Sequence, residues 1–281
     1  MLLRELINKY RKERADRRSY AHFLKCRTNI QLQDNINNLP RPAVSTLRIL
    51  CNSANLREQL DALDDRADYM VVNSFVVDPS YARLKPKYYV IADALFFQSR
   101  REQIKRIYED TQWQMALVVS NNDTAQYDWL LSTEHITVIK VNTDPYTGPV
   151  EYRDYCYDHN LAMPPVGNVL NMAIYVAIYL GYERVELYGV EHSWLNSMYV
   201  DDQNRLHRSD THFYKEVKDK QDIILRHHNG QYTKLHEILG EYTVIFKTYW
   251  ELHELAERHG CKIINCTPNS YIDAFERNIK K

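Results

Sequence analysis

The sequence predicts an α/β fold: a mostly parallel sheet flanked by helices, with a lid-like insertion and a helix at the N-terminus. Short β-rich apolar runs recur from Thr46 to Ile264, and helical stretches separate them at 56–64, 95–109, 121–132, 167–181 and 241–259. Strands spaced by helices of that length build βαβ units and a parallel sheet. Two stretches break the rhythm. Residues 142–166 are rich in Tyr and Pro, and residues 192–240 are polar, aromatic and rich in His. Long irregular excursions inside a compact domain are usually lids or binding elements.

Residues 1–27 carry nine basic side chains against Glu5, Glu13 and Asp16, with Leu2, Leu3, Leu6, Ile7 and Tyr10 at helical spacing. This is a basic amphipathic helix. It suits contact with an anionic membrane surface; the reading preferred here is a helix packed on the domain or on a neighbouring subunit of a homo-oligomer. Residues 28–45, with Asn35, Asn37, Asn38, Pro40 and Pro42, read as a linker. The expected division is therefore 1–45 for helix and linker and 46–281 for the main domain, with an insertion at 192–240.

Each strand run from residue 46 onward meets a small polar residue at its C-terminal end. Leu47–Cys51 meets Asn52-Ser53, Met70–Val72 meets Asn73, and Tyr88–Ala92 meets Asp93. Met115–Val119 meets Ser120-Asn121-Asn122, Ile136–Val141 meets Asn142, Val185–Val190 meets Glu191-His192, and Lys262–Ile264 meets Asn265. Open α/β sheets bind ligands outside the carboxyl ends of their strands, so this row supports a pocket for a polar ligand such as a nucleotide or sugar. Turn and cap chemistry accounts for many of the same residues. Helix 167–181, bounded by Gly167 and Gly181, has an apolar interior and should be mostly buried.

Composition narrows the function. The chain has 281 residues, 44% of them hydrophobic, with 36 basic against 37 acidic side chains. It can bury a large core, and its charge balance gives no case for nucleic acid. Cysteines 26, 51, 156, 261 and 266 show no metal-ligand spacing and fit a reducing cytoplasm. None of the seven glycines precedes Gly148, so the first strand-to-helix turn is neither a P-loop nor a dinucleotide fingerprint. HExxH and GxSxG motifs are missing too, which leaves a metalloprotease or an α/β-hydrolase unsupported.

The densest reactive constellation follows Val185–Val190: Glu191-His192-Ser193-Trp194, Tyr199, Asp201-Asp202-Gln203-Asn204, His207 and Asp210-Thr211-His212-Phe213-Tyr214. Histidine titrates near working pH and suits a general base, while tyrosines can stabilise a leaving phosphate. His212 is the preferred base, with His192 next. The Asp201-Asp202 pair reads as turn chemistry rather than as a metal site.

Three blocks carry a resemblance. The stretch Gly167-Asn168-Val169, an apolar helix, Leu180-Gly181-Tyr182 and Glu186-Leu187-Tyr188-Gly189-Val190-Glu191 resembles a block of bacterial lipooligosaccharide sialyltransferases and the related hydroxymethylpterin-pyrophosphokinase-like superfamily. Lys262 to Ser270 resembles that family's closing strand with its Pro-Asn-Ser turn, and Cys51-Asn52-Ser53-Ala54-Asn55-Leu56 stands in place of its Gly-Asn-Gly-Pro-Ser-Leu loop. The resemblance spans about residues 46–275. It implies one Rossmann-like domain that binds a cytidine nucleotide-sugar without metal or other cofactor.

Carried over by position, the resemblance places Asn52, Asn73, Asp93, Gly167, Asn168 and Glu191 on the donor, and Tyr199 on the departing phosphate; Ser53, Asn55 and His192, beside them at the strand ends, are further substrate-binding candidates. Asp93 replaces an asparagine of the family and Glu191 an aspartate; a second family tyrosine falls at Ser193. The family's catalytic histidine falls at Glu216, so the base is either His212 or Glu216. The implied activity is an inverting, metal-independent glycosyltransferase. It would move a sugar, CMP-activated and acidic, to a surface-polysaccharide or lipooligosaccharide acceptor at the cytoplasmic face of a membrane. A pyrophosphokinase-like enzyme using Mg²⁺ and ATP, and a non-catalytic nucleotide-binding protein of polysaccharide assembly, remain the alternatives.

Overall fold

Short, near-continuous apolar runs are what a parallel sheet covered on both faces demands, and the predicted strands supply them. The computed structural model describes residues 2–31, 35–121, 130–210, 221–227 and 229–279. Its strands are β1 (Thr46–Leu50), β2 (Asp68–Val72), β3 (Tyr88–Ile91), β4 (Met115–Ser120), β5 (Ile136–Val141), β6 (Arg184–Tyr188), β7 (Met198–Val200), β8 (Leu206–Asp210), β9 (Gln221–Ile224), β10 (Lys262–Asn265) and β11 (Glu276–Arg277). Its helices are α1 (Leu2–Gln31), α2 (Leu56–Gln59), α3 (Ser80–Leu84), α4 (Ala94–Ser99), α5 (Arg101–Asp110), α6 (Arg153–Asp158), α7 (Val169–Leu180) and α8 (Leu235–Arg258).

Eight strands form one sheet in the order β11-β10-β6-β1-β2-β3-β4-β5. Every pairing in it is parallel. From β1 the chain steps outward to β5, then returns to β6 on the other side of β1. The strand order therefore reverses between β1 and β6, and that is where such sheets open a crevice at their carboxyl ends.

The side-chain period of two sorts the core. Leu47, Ile49, Met70, Val72, Val90 and Val118 face a layer formed by α7 and α8. Leu50, Val71, Tyr89, Ile91, Leu117 and Val119 face the layer of α2, α4 and α5. Helix α7 is buried almost all round, as its sequence demands. Asn168 caps its start, and Gly181, at φ +85°, ends it in the left-handed region that favours glycine.

The excursions hold more structure than their composition announces. Residues 142–166 contain a 3₁₀ turn at Val150–Tyr152 and α6. Residues 192–240 contain a separate antiparallel sheet, β7-β8-β9, and the first turns of α8, which begins at Leu235 rather than 241. The helix expected at 95–109 is broken at Arg100 into α4 and α5. The helix expected at 121–132 lies largely outside the described residues.

Part of the expected linker is packed rather than free. The Asn35 amide N–H donates to Lys140 O at 3.0 Å and its Nδ2 to Val138 O at 3.3 Å, while Ile36 and Leu39 are buried. Strand β5 is the sheet's edge, and these bonds occupy its otherwise unpaired backbone groups. Helix α1 is anchored only near its end: Tyr20 stacks on Tyr152 with centroids 4.3 Å apart, and Phe23 meets Tyr146 edge-on at 5.1 Å.

Candidate functional site

The carboxyl ends of β1 and β6 are drawn together by backbone contacts that only a glycine permits. The Cys51 N–H donates to Tyr188 O at 2.9 Å and the Ser53 N–H to Gly189 O at 3.2 Å. A Cβ on Gly189, whose φ is +67°, would lie 2.8 Å from Cys51 O. The close approach that a glycine in the first loop would give is thus supplied from the facing strand.

The predicted strand-end residues meet here. Glu191 Oε1 accepts the Asn55 N–H at 2.9 Å at the start of α2, and Asn55 Nδ2 donates to Pro268 O at 3.2 Å. Asn52 Nδ2 donates to Val72 O at 3.2 Å, tying the β1 loop to the end of β2. The next residue, Asn73, holds φ +49°, a conformation that asparagine tolerates better than most residues, and its carbonyl accepts the Tyr89 hydroxyl. Asn52, Ser53, Asn55, Asn73 and Glu191 therefore share one edge of the sheet. Asp93 stands exposed further along that edge, past β3, its carbonyl accepting the Phe96 N–H at 3.1 Å.

The second wall comes from α7 and α8. Asn168 Oδ1 accepts the Asn171 N–H at 3.1 Å, and Asn171 Oδ1 accepts the N–H groups of Gly167 and Asn168, both at 3.2 Å. Gly167 has no room for a side chain: a Cβ would lie 2.4 Å from Ile245 Cγ1 on α8. Tyr249, fully buried on α8, accepts from Asn168 Nδ2 at 2.8 Å and lies 3.1 Å from His192 Nδ1. Burial raises the Tyr249 phenol well above its ordinary value and pushes the His192 imidazole down to about 3. The Tyr249 hydroxyl also lies 3.3 Å from Asn168 Oδ1, so its one proton serves either that oxygen or the His192 ring. His192 is thus a neutral imidazole held at the end of β6. Its ring, at φ +49°, stacks on Trp194 at 4.4 Å, and Trp194 in turn stacks on Tyr242 at 5.1 Å.

Polar atoms without partners mark the same place. Ser53 Oγ, Asn73 Oδ1 and Asn171 Nδ2 are buried and have no hydrogen-bond partner among the described residues. Each such group costs about 1–3 kcal/mol relative to a satisfied one, and where it persists it calls for an explanation such as a functional role.

Tyr199 belongs to a different cluster, on the small sheet. Its hydroxyl donates to Asp222 Oδ2 at 2.7 Å, and its ring stacks on His207 at 4.6 Å. His207 is held between Asp222 Oδ2 at 2.9 Å and Asp201 Oδ2 at 3.0 Å. The Asp201 hydrogen bond raises its pKa against the desolvation that lowers it, and Asp222 adds to the rise. Asp201 also accepts the Gln203 and Arg205 N–H groups at 3.0 and 2.8 Å, so the acidic pair begins at a turn residue whose bonds are internal. Both residues named for the base, His212 and Glu216, lie outside the described residues.

Tyr249 and Asn171 are site-building residues that sequence reasoning missed. Asn171 had a signal, since Asn168-x-x-Asn171 has the spacing of a capping box. Tyr249 had none, being one apolar-face residue of a long helix. A cavity of about 290 Å³ also opens at the opposite edge of the sheet, among Leu63, Asp64, Asp68, Arg83 and Lys87. Two of its charged groups are already paired, Lys87 Nζ with Asp68 at 3.0 Å and Asp64 with Arg48 Nη1 at 2.9 Å, and it lies away from the carboxyl ends of the strands, so it is not preferred as a ligand site.

No protein-family model matches the sequence, and no curated protein matches it. Among solved structures, the chain is similar to the sialyltransferase CstII from Campylobacter jejuni in complex with cytidine-5'-monophosphate, at 15% identity and TM-score 0.44, covering 83% of this chain and 84% of that one. It is similar to the same enzyme with CMP-3FNeuAc at 15% identity and TM-score 0.46, covering 83% and 86%. A third similar structure is CST-II with a trisaccharide acceptor and CMP, at 16% identity and TM-score 0.44, covering 82% and 84%.

Proposed function

We propose that the protein is a metal-independent glycosyltransferase that takes a nucleotide-sugar, CMP-activated and acidic, into the β1/β6 crevice and transfers the sugar to a surface-polysaccharide or lipooligosaccharide acceptor. One observation carries this reading. Ser53 Oγ and Asn73 Oδ1, buried and without partners among the described residues, follow neighbouring strands beside the point where the strand order reverses. Bases and riboses present dense sets of donors and acceptors, and amide and hydroxyl groups are suited to reading them.

In this reading Asn52, Ser53, Asn55, Asn73, Asp93 and Glu191 hold the nucleoside. The start of α7, with Gly167, Asn168 and the spare Asn171 amide N–H, offers donors and a positive helix end to the acidic group of the sugar or to the phosphate. His192 contributes a neutral imidazole. The acceptor hydroxyl gives its proton to His212 or Glu216 as its oxygen attacks the anomeric carbon, and the bond to the nucleotide phosphate breaks on the opposite face. A leaving monophosphate carries less charge than a diphosphate, so amide and hydroxyl donors can stabilise it without Mg²⁺. Tyr199 joins that role only by releasing Asp222 when donor binds.

The test is hydrolysis of a CMP-activated acidic sugar in EDTA, alongside thermal shifts with CMP, UDP, GDP and ATP. At 100 times its Kd, CMP should stabilise the fold by about 2.7 kcal/mol. Absolute dependence on added metal, or a shift with ATP and Mg²⁺ alone, would replace this reading with the pyrophosphokinase-like one. A CMP shift with no turnover, unchanged by His212→Ala and Glu216→Ala, would leave a nucleotide-binding protein.

A further inference from the structure

Helix α1 leaves the body of the protein with an apolar face that no described residue covers. Leu6, Ile7 and Tyr10 are 56%, 44% and 65% exposed, and every residue from 6 to 15 is exposed. The anchors Tyr20 and Phe23 lie further along the helix, so the exposed portion runs on for about 15 Å at 1.5 Å per residue.

Its charges say what surface covers that face. Residues 6–25 hold seven basic side chains against Glu13 and Asp16, a net of +5 in a chain whose total is −1. At about 100° per residue, Leu6, Tyr10 and Ile7 span an arc of about 100°. Arg14 and Arg17 lie within that arc, and Arg18 and Arg11 fall within about 40° of its Ile7 side, with no acidic residue among residues 6–25 on that flank. On the Leu6 side Lys9 and Lys12 are balanced by Glu13 and Asp16. No described helix is long and apolar enough to cross a membrane. An amphipathic helix with a cationic flank instead lies in the plane of the interface.

We infer that α1 docks the protein on the surface of an anionic bilayer, with Leu6, Ile7 and Tyr10 entering the headgroup region and Arg11, Arg14 and Arg18 meeting the acidic lipids. The inference stands apart from sugar transfer and is tested without an activity assay. The full chain is sedimented with phosphatidylcholine vesicles, with and without phosphatidylglycerol, at low and high salt. Binding to the anionic vesicles should exceed binding to neutral ones by at least about tenfold and weaken with salt. Arg11→Glu with Arg18→Glu should lower it roughly a hundredfold. Leu6→Glu with Ile7→Glu should also abolish it, while circular dichroism and melting of the main domain stay unchanged. No binding, equal binding to both vesicles, or binding indifferent to both pairs of substitutions overturns the inference. So does a concentration-dependent dimer in sedimentation velocity that Leu6→Glu with Ile7→Glu removes, because a second copy would then cover the face.

Discussion

The clasp between α7, α8 and β6 rests on one hydroxyl, and its contribution can be worked out bond by bond. Tyr249→Phe removes the acceptor for Asn168 Nδ2 at 2.8 Å and the hydroxyl 3.1 Å from His192 Nδ1, leaving both groups half-buried without it. Each such group costs about 1 kcal/mol, the low end of the range for buried unsatisfied groups, so a loss of about 2 kcal/mol is expected. Unfolding entropy of about 2 cal/mol/K per residue gives about 0.6 kcal/mol/K for 281 residues, so Tm should fall by about 3 °C. Asn168→Ala removes the α7 cap, about 1 kcal/mol, and in addition the Tyr249 bond. The shared bond is lost in either single variant, so the double variant should be less destabilised than the two singles predict by about 1 kcal/mol. Urea unfolding of the four proteins, at matched m-values, measures that coupling. Coupling within about 0.3 kcal/mol of zero would show that the two side chains do not act together, and the α7–α8 clasp would go with it.

Gly240 lies inside α8, exposed, and a Cβ there would meet nothing within 4 Å; Gly240→Ala should therefore stabilise the protein by about 1 kcal/mol in the same urea assay. At the other end of the sheet, Arg48 on β1 lies 3.1 Å from Glu186 on β6, and each side chain is 12% exposed. Arg48→Met should cost about 3 kcal/mol, because it leaves Glu186 buried with the more exposed Arg184 as its remaining cation. Burial alone would raise the Glu186 pKa, but Arg184 and Arg48 lower it overall. Its stabilising contribution is thus complete above the ordinary carboxylate range and is lost as pH falls through the folded value. Arg48→Met should lose less stability than the parent protein on acidification, and a steeper loss would refute the pairing.

How much of this was legible beforehand follows from the range of each interaction. The strands could be read because a buried parallel strand needs a short, continuous apolar run, and Met115–Ser120 or Tyr88–Ile91 carries that requirement within itself. The polar strand ends were legible for the same reason. The small sheet was not: His207 and Asp222 pair across β8 and β9, and neither sequence stretch is apolar enough to announce a strand. Asn35 was read as linker because its partners on β5 lie a hundred residues away.

Sequence alone determined that this chain forms an α/β sheet, that its strands end in amides and carboxylates, and that its first turn holds no phosphate loop. Those are properties of single segments, set by side-chain period and by the backbone freedom of glycine. Only the tertiary structure decided that Gly189 backs the β1 loop, that Tyr249 fixes His192, and that Ser53 and Asn73 keep buried atoms without partners among the described residues. Each of these depends on groups from distant segments meeting within a few ångströms. The strand order creates that meeting, and no local pattern encodes it.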